Sequence, residues 1–161
     1  MVKASPERSP AASAVGEATL TASRALLGVV ARSVAAALDE VSLPQFRVLV
    51  VLAAEGSQRV TTLAERMGAV PSTFSRSLDR MVAGGWITRT ENPESRREVL
   101  VQLTDRGSAL VEEVTRRRRE EIETILARLD VAQRDAVAAA LAAFNQAAGE
   151  PSADDILVLG I

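Results

Sequence analysis

Apolar residues recur along this chain at a helical spacing, then briefly at a strand spacing, then at a helical spacing again. Leu27, Val30, Val34, Leu38 and Val41 lie three or four apart, which predicts one long helix beginning near Val15. Pro44 sits where a second helix tolerates proline. That helix, PQFRVLVVLAAEG, is apolar on most sides and closes at Gly56. TTLAERM, with Leu63 and Met67 four apart, makes a short third helix. GAVP follows as a tight turn, and VPSTFSRSLDRMVAGG (70–85) reads as a fourth helix ended by Gly84-Gly85. Over Trp86–Thr90 and Val99–Leu103 the period drops to two, the mark of strands. The polar ENPESRRE between them predicts a hairpin with an extended charged tip, Asn-Pro being its turn signal. Thr104 is placed to cap a long helix reaching about Leu129, with the stripe Leu110, Val114, Arg118, Ile122, Ile125 and Leu129. Asp130 and Gln133 form a capping box for a last helix that carries Val137, Leu141 and Phe144 on one face and breaks at Gly149-Glu150-Pro151.

Four helices, a two-stranded hairpin and two further helices make a mainly α chain with a small β-wing. A helix–turn–helix followed by a two-stranded ribbon is a winged helix–turn–helix. Residues 44–103 form that domain. Residues 15–43 and 104–148 form a helical region whose apolar faces exceed what one small winged domain needs, which predicts dimerisation. Residues 1–14, MVKASPERSPAASA, lack an apolar period and read as a disordered arm. Residues 149–161 form a tail ending in the apolar ILVLGI, whose role is open.

Composition narrows the chemistry. The 161 residues are 47% hydrophobic, with three Phe, one Trp and no Tyr, so Ala, Leu, Val and Ile must build the core. There is no Cys, no His and a single Lys, Lys3. Disulfides, thiol chemistry, soft-donor zinc sites and imidazole catalysis are excluded. No paired carboxylates sit on a pocket-like element, so neither an enzyme nor a cofactor or metal site is expected. No N-terminal signal pattern and no apolar run of membrane-spanning length is apparent, which makes the cytoplasm the expected compartment. The net charge is −2, yet residues 57–106 hold eight Arg against six acids, +2 locally, leaving −4 for the rest. The middle of the chain is therefore basic relative to its flanks.

The fourth helix gives that charge a direction. At 100° per residue, Val70, Leu78 and Met81 fall within about 40° of Phe74 and form its buried face. Ser72, Arg76 and Asp79 lie opposite, with Ser75 to one side and Thr73 and Arg80 to the other. Short hydroxyls near a helix N-terminus let backbone approach a duplex, and an arginine one turn in can fork onto guanine. An ordinary solvated face would also use Ser and Arg; the preceding TTLAERMGAVP, at helix–turn–helix spacing, favours DNA. The candidate DNA-binding residues are Thr61, Pro71, Ser72, Thr73, Ser75, Arg76 and Arg80. Arg96 and Arg97 at the hairpin tip join them, suited to a narrow minor groove. Against that last reading stand Glu91, Glu94 and Glu98, which balance the tip's charge.

The stretches LAERMGAVPSTFSRSLDRMVAGGWITR (63–89) and SRREVLVQLTDRG (95–107) resemble the MarR-type transcription regulators. The family pattern in the second is an acid, any residue, Arg, then a strand ending Leu-Thr and a Gly three residues later. Arg97, Leu103, Thr104 and Gly107 match, whereas Ser95 stands at the acid position. In the family that acid steadies the wing arginine, so the resemblance implies either that Arg97 is held more loosely here or that Glu94 substitutes. The resemblance implies a homodimer with interlocked first, fifth and sixth helices, bound to double-stranded DNA at a pseudo-palindromic operator. It implies a repressor of nearby or its own genes, released by a small-molecule effector, often aromatic and anionic, seated between the winged domain and the dimer helices. Branches that sense oxidants through Cys, or metals through His and Cys, are excluded by composition. A winged helix used for protein contact, without specific DNA binding, is the alternative.

Two further features have competing readings. Arg116–Arg119 span about 300° of helix, so no one face holds them. Pairing with Glu112, Glu113, Glu120, Glu121 and Glu123 is favoured over phosphate contact. Trp86, after two glycines, is read as a plug at the wing base rather than a ligand platform; with Phe46 it is a starting point for a pocket.

Overall fold

The computed structural model describes residues 10–93 and 95–149. Helix α1 runs Pro10–Leu38, five residues earlier than the apolar period indicates. Proline at the first helical position gives up only an N–H that has no partner there, and Ala-rich AASA continues the helix. Residues 10–14 are thus helical, not part of a disordered arm, and residues 1–9 lie outside the described residues. The predicted stripe is also corrected. Val34 and Val41 are buried, but Leu27 and Leu38 are exposed and Val30 is intermediate. The buried line is Val29, Ser33 and Ala37, four apart, flanked by Val34 and Val41, and α1 packs this side on α5. Ala14–Leu38 has the length and mean hydropathy, 1.3, of a membrane-crossing helix, contrary to the expectation that no run reaches it. Its partner here is protein: Arg32 pairs with Glu121 of α5.

Helix α2, Leu43–Glu55, starts where the Gln45 side chain accepts the Ser42 N–H at 2.9 Å, with proline in its first turn. It buries Phe46, Val48, Leu49, Val50 and Leu52 and ends at Gly56, φ 72°, whose N–H reaches the Leu52 carbonyl. A two-residue strand follows, β1, Gln58–Arg59, too short to leave a period in the sequence. Helix α3, Val60–Arg66, and helix α4, Pro71–Ala83, complete the helix–turn–helix across a turn with Gly68 at φ 58°. Strands β2, Ile87–Asn92, and β3, Ser95–Leu103, form the hairpin. The sheet is antiparallel in the order β1-β3-β2, three strands rather than two. Strand β2 takes in Glu91 and Asn92, β3 begins at Ser95, and Asn92 pairs with Ser95, so the connection is tight and the extended polar tip is not found. A ribbon standing off the core pairs through its backbone, and its side chains need no apolar alternation.

The core lies between α2, α3, α4 and the sheet, around Leu49, Leu63, Leu78, Met81, Ile87 and Val101. Trp86 plugs the wing base: it is 6% exposed, and the Arg106 guanidinium lies 3.8 Å from its ring centroid. Arg106 also donates to the Gly84 carbonyl and to Glu40. Helix α5, Asp105–Leu126, is capped by Thr104, which accepts the Gly107 N–H at 3.1 Å and donates to the Gly85 carbonyl. Helix α6, Val131–Ala148, opens with the expected box: Asp130 accepts from Gln133 N–H, and Gln133 accepts from Asp130 N–H. No α6 residue is buried, and Leu141 and Phe144 are 45% and 54% exposed, an apolar face that none of the described residues covers.

Two arginines of the α5 run are held by their own helix, and a third reaches α1. Arg116 bridges Glu113 and Glu120, and Arg117 also reaches Glu113. Arg118, half-buried on the stripe, donates to Ser33 at 3.3 Å, and burial pushes its guanidinium below the usual arginine value. Hydrogen bonds from Arg116 and Arg117 hold the Glu113 carboxyl down to about 2. Its folded value lies below its unfolded one, so the stabilisation is present above about pH 4.5 and is lost as pH falls toward about 2. The Glu113 side chain is 38% exposed and its partners are screened by solvent, so the effect is small. The Tm of Glu113→Gln is expected to fall less than wild type between about pH 5 and about pH 2 in a thermal melt series.

Candidate nucleic-acid interface

Helix α4 separates its faces sharply. Phe74, Leu78 and Met81 are at most 6% exposed, while Ser72, Thr73, Arg76, Asp79 and Arg80 are exposed. Val70, assigned to the apolar face, is instead 66% exposed. It is the residue before the helix, with extended backbone, so a 100° projection does not apply to it. Pro71 is the first helical residue. Ser75 is half-buried, and its carbonyl accepts from Arg89. Among the described residues, neither Arg76 nor Arg80 makes an ion pair or a side-chain hydrogen bond. Two cations on one exposed face are thus available to an outside anion. Thr61 is exposed in the first turn of α3 and shares a crevice of about 280 Å³ with Ser75, Arg89, Arg59 and Glu98.

The wing is tied to α4 by a residue that composition alone did not single out. Arg89 of β2 donates to Asp79 Oδ1 at 2.6 Å and to the Ser75 carbonyl at 3.1 Å. Asp79, the one acid on the polar face, is therefore occupied by an intramolecular partner, which lowers its repulsion toward phosphate. The signal in the sequence was the ten-residue separation of Asp79 and Arg89 across Gly84-Gly85, legible only once the hairpin is folded back.

Arg96 and Arg97 lie within β3, not in a loop. The pairs Glu91↔Val99 and Asn92↔Ser95 are consecutive on β2, so Arg96, Arg97 and Glu98 form a bulge on β3. Glu94, named as substitute for the family acid, lies outside the described residues. Glu98 is well placed: its Oε2 accepts from Asn92 at 2.7 Å and ion-pairs with Arg59 Nε at 3.1 Å.

A second crevice, of about 370 Å³, lies between the start of α2, the turn before α4 and α4 itself. Val48, Met67 and Phe74 supply apolar wall, and Thr73, Ser77 and Arg80 supply polar groups. It is inside the winged part, and neither Trp86 nor Phe46 lines it.

The model of the MarR family matches residues 41–99, from the turn between α1 and α2 into β3. The solved structure of RV1404 from Mycobacterium tuberculosis superposes with a TM-score of 0.79 at 40% identity, covering 92% of this chain and all of that one. The chain belongs to the MarR family. Among curated MarR-type proteins, the HTH-type transcriptional repressor MdtR of Bacillus subtilis is 40% identical over 70 residues, 44% of this chain and 45% of MdtR. The multiple antibiotic resistance protein MarR of Salmonella typhimurium is 33% identical over 78 residues, 48% of this chain and 54% of that protein. These matches span about half the length of the curated relatives. The MarR family consists of non-enzymatic transcription regulators, and the mainly helical fold with its small antiparallel sheet is the family's winged helix.

Proposed function

We propose that this protein is a cytoplasmic, homodimeric, sequence-specific regulator that binds double-stranded DNA at a pseudo-palindrome and represses nearby or its own genes. The observation that carries the reading is the exposed face of α4, where Ser72, Thr73, Arg76 and Arg80 stand over a fully buried Phe74-Leu78-Met81 face. The helix N-terminus and hydroxyls suit phosphate, and an arginine fork suits guanine. Arg96 and Arg97 follow the minor groove alongside. Dimerisation rests on α1, α5 and α6, the region 15–43 and 104–148. Leu27, Ile125, Leu141 and Phe144 are 43–67% exposed there, the unpaired apolar surface that a second copy would cover. A two-fold axis then sets two recognition helices roughly 34 Å apart. For release by a small aromatic anion the 370 Å³ crevice is the candidate seat, inside the winged part rather than between it and the dimer helices, where it joins Phe74 and Val48 to Arg80.

Selection from a random duplex pool tests this reading. The expected product is an inverted repeat with half-site centres about 10 base pairs apart. Recovery of unrelated sequences at background enrichment would contradict it. Leu141→Asp with Phe144→Asp is expected to give a monomer by sedimentation velocity, and to weaken duplex binding more than tenfold, since each half-site is then bound alone.

A further inference from the structure

We infer that Glu98 is the positioning residue of the wing, fixing the bulge that carries Arg96 and Arg97; this rests on the DNA-binding reading above. Three observations converge on it. The register slips between Glu91 and Asn92, so that Arg96, Arg97 and Glu98 fall between the pairs Asn92↔Ser95 and Glu91↔Val99. Residues lying between two register pairs stand outside the regular ladder, so a side-chain contact can set the direction of the excursion. Glu98 is the last of the three, where the excursion rejoins the ladder at Val99. Its carboxylate is held from both sides of β3: one oxygen accepts a hydrogen bond from Asn92 of β2 at 2.7 Å and lies 3.1 Å from Arg59 Nε of β1 as an ion pair.

The two donors differ in kind, and that matters. Asn92 is 6% exposed and belongs to the strand facing the bulge. Arg59 precedes the first turn of α3 and pairs in register with Leu100, so it ties the bulge to the helix–turn–helix body. A carboxylate is the only side-chain group here that can accept from both at once with a charge to match Arg59. Glu98 carries charge opposite to that of DNA-binding residues, so its place beside a DNA-facing wing is not explained by contact. It is explained by a role acting through Arg96 and Arg97. In this chain Ser95 leaves no carboxylate at the start of the bulge, and Glu98 supplies one at its end.

The test is a binding cycle by fluorescence anisotropy, using the full chain and a duplex that the wild type has selected from a random pool. Glu98→Gln keeps the shape and one acceptor but removes the charge. It is expected to weaken wild-type binding about fivefold, the scale of one surface ion pair. In an Arg96→Ala/Arg97→Ala background it is expected to cost less than about twofold, because the groups it positions are gone. The salt dependence of Glu98→Gln should flatten toward that of the double-arginine variant, a change that general loosening of the fold would not give. Glu98→Ala, checked by circular dichroism for a wild-type helical signal, repeats the cycle without the amide. Equal loss in both backgrounds, no loss in wild type, or an unchanged salt slope each overturns the inference. A wild type that selects no duplex fails earlier and separately, and removes the reading on which Glu98 depends.

Discussion

Gly107→Ala is expected to destabilise the fold by about 2–4 kcal/mol, with Tm lower by roughly 5–15 °C. Within a helix the same change ordinarily stabilises, by up to about 1 kcal/mol, because glycine loses more backbone freedom on folding. The sign inverts at this site. Gly107 is buried in the first turn of α5, and a Cβ there would stand 2.3 Å from the Trp86 carbonyl oxygen and 3.0 Å from Leu103. The carbonyl is backbone, and it accepts from Thr104 N–H, so it cannot swing aside. Trp86 is in turn pressed against Gly84, where an added Cβ would meet the indole at 2.7 Å. Gly16→Ala in α1 is the control: nothing lies within 4 Å of its Cβ position, and Tm should rise. Thermal melts of the two variants beside wild type check both signs at once.

The second large effect concerns recognition. Arg76→Ala is expected to cost about 1–3 kcal/mol on the selected duplex and much less on a scrambled one, the signature of a base reader. Arg76 sits one turn into α4, exposed, with no ion pair among the described residues to hold it back. Arg76→Lys should not restore discrimination, since an ammonium is a point charge and lacks the planar fork. A uniform loss on both duplexes would reassign Arg76 to a phosphate contact. Competition binding with the two duplexes at one salt concentration measures the difference directly.

Much of this site can be read along the chain because helices write their faces at a fixed period. Phe74, Leu78 and Met81 declare the buried side of α4, and Arg76 and Ser72 follow as its outside. The caps at Thr104, Asp130 and Gly56 are local chemistry and fall where the residues indicate. What could not be read is set by partners distant in sequence. The stripe Leu27–Leu38 mixes two faces of α1: one packs on α5, and the other, with Leu27 and Leu38, stays exposed. A helix with two apolar faces shows one blurred period, and only tertiary packing separates them. The bulge at Arg96–Glu98 is likewise a matter of register between strands, to which periodicity along one strand is blind. The Asp79–Arg89 pair, which neutralises the only acid on the recognition face, appears only after the hairpin folds back.

The central claim is that a chain of net charge −2 presents a locally basic surface to DNA. The measurement that tests it most directly is the affinity of wild-type protein for its selected duplex and a scrambled control, across a salt series from about 50 to about 200 mM. The account predicts tighter binding to the selected duplex at every salt, with both affinities falling steeply as salt rises. Binding that is indifferent to salt, or equal for the two duplexes, would contradict it.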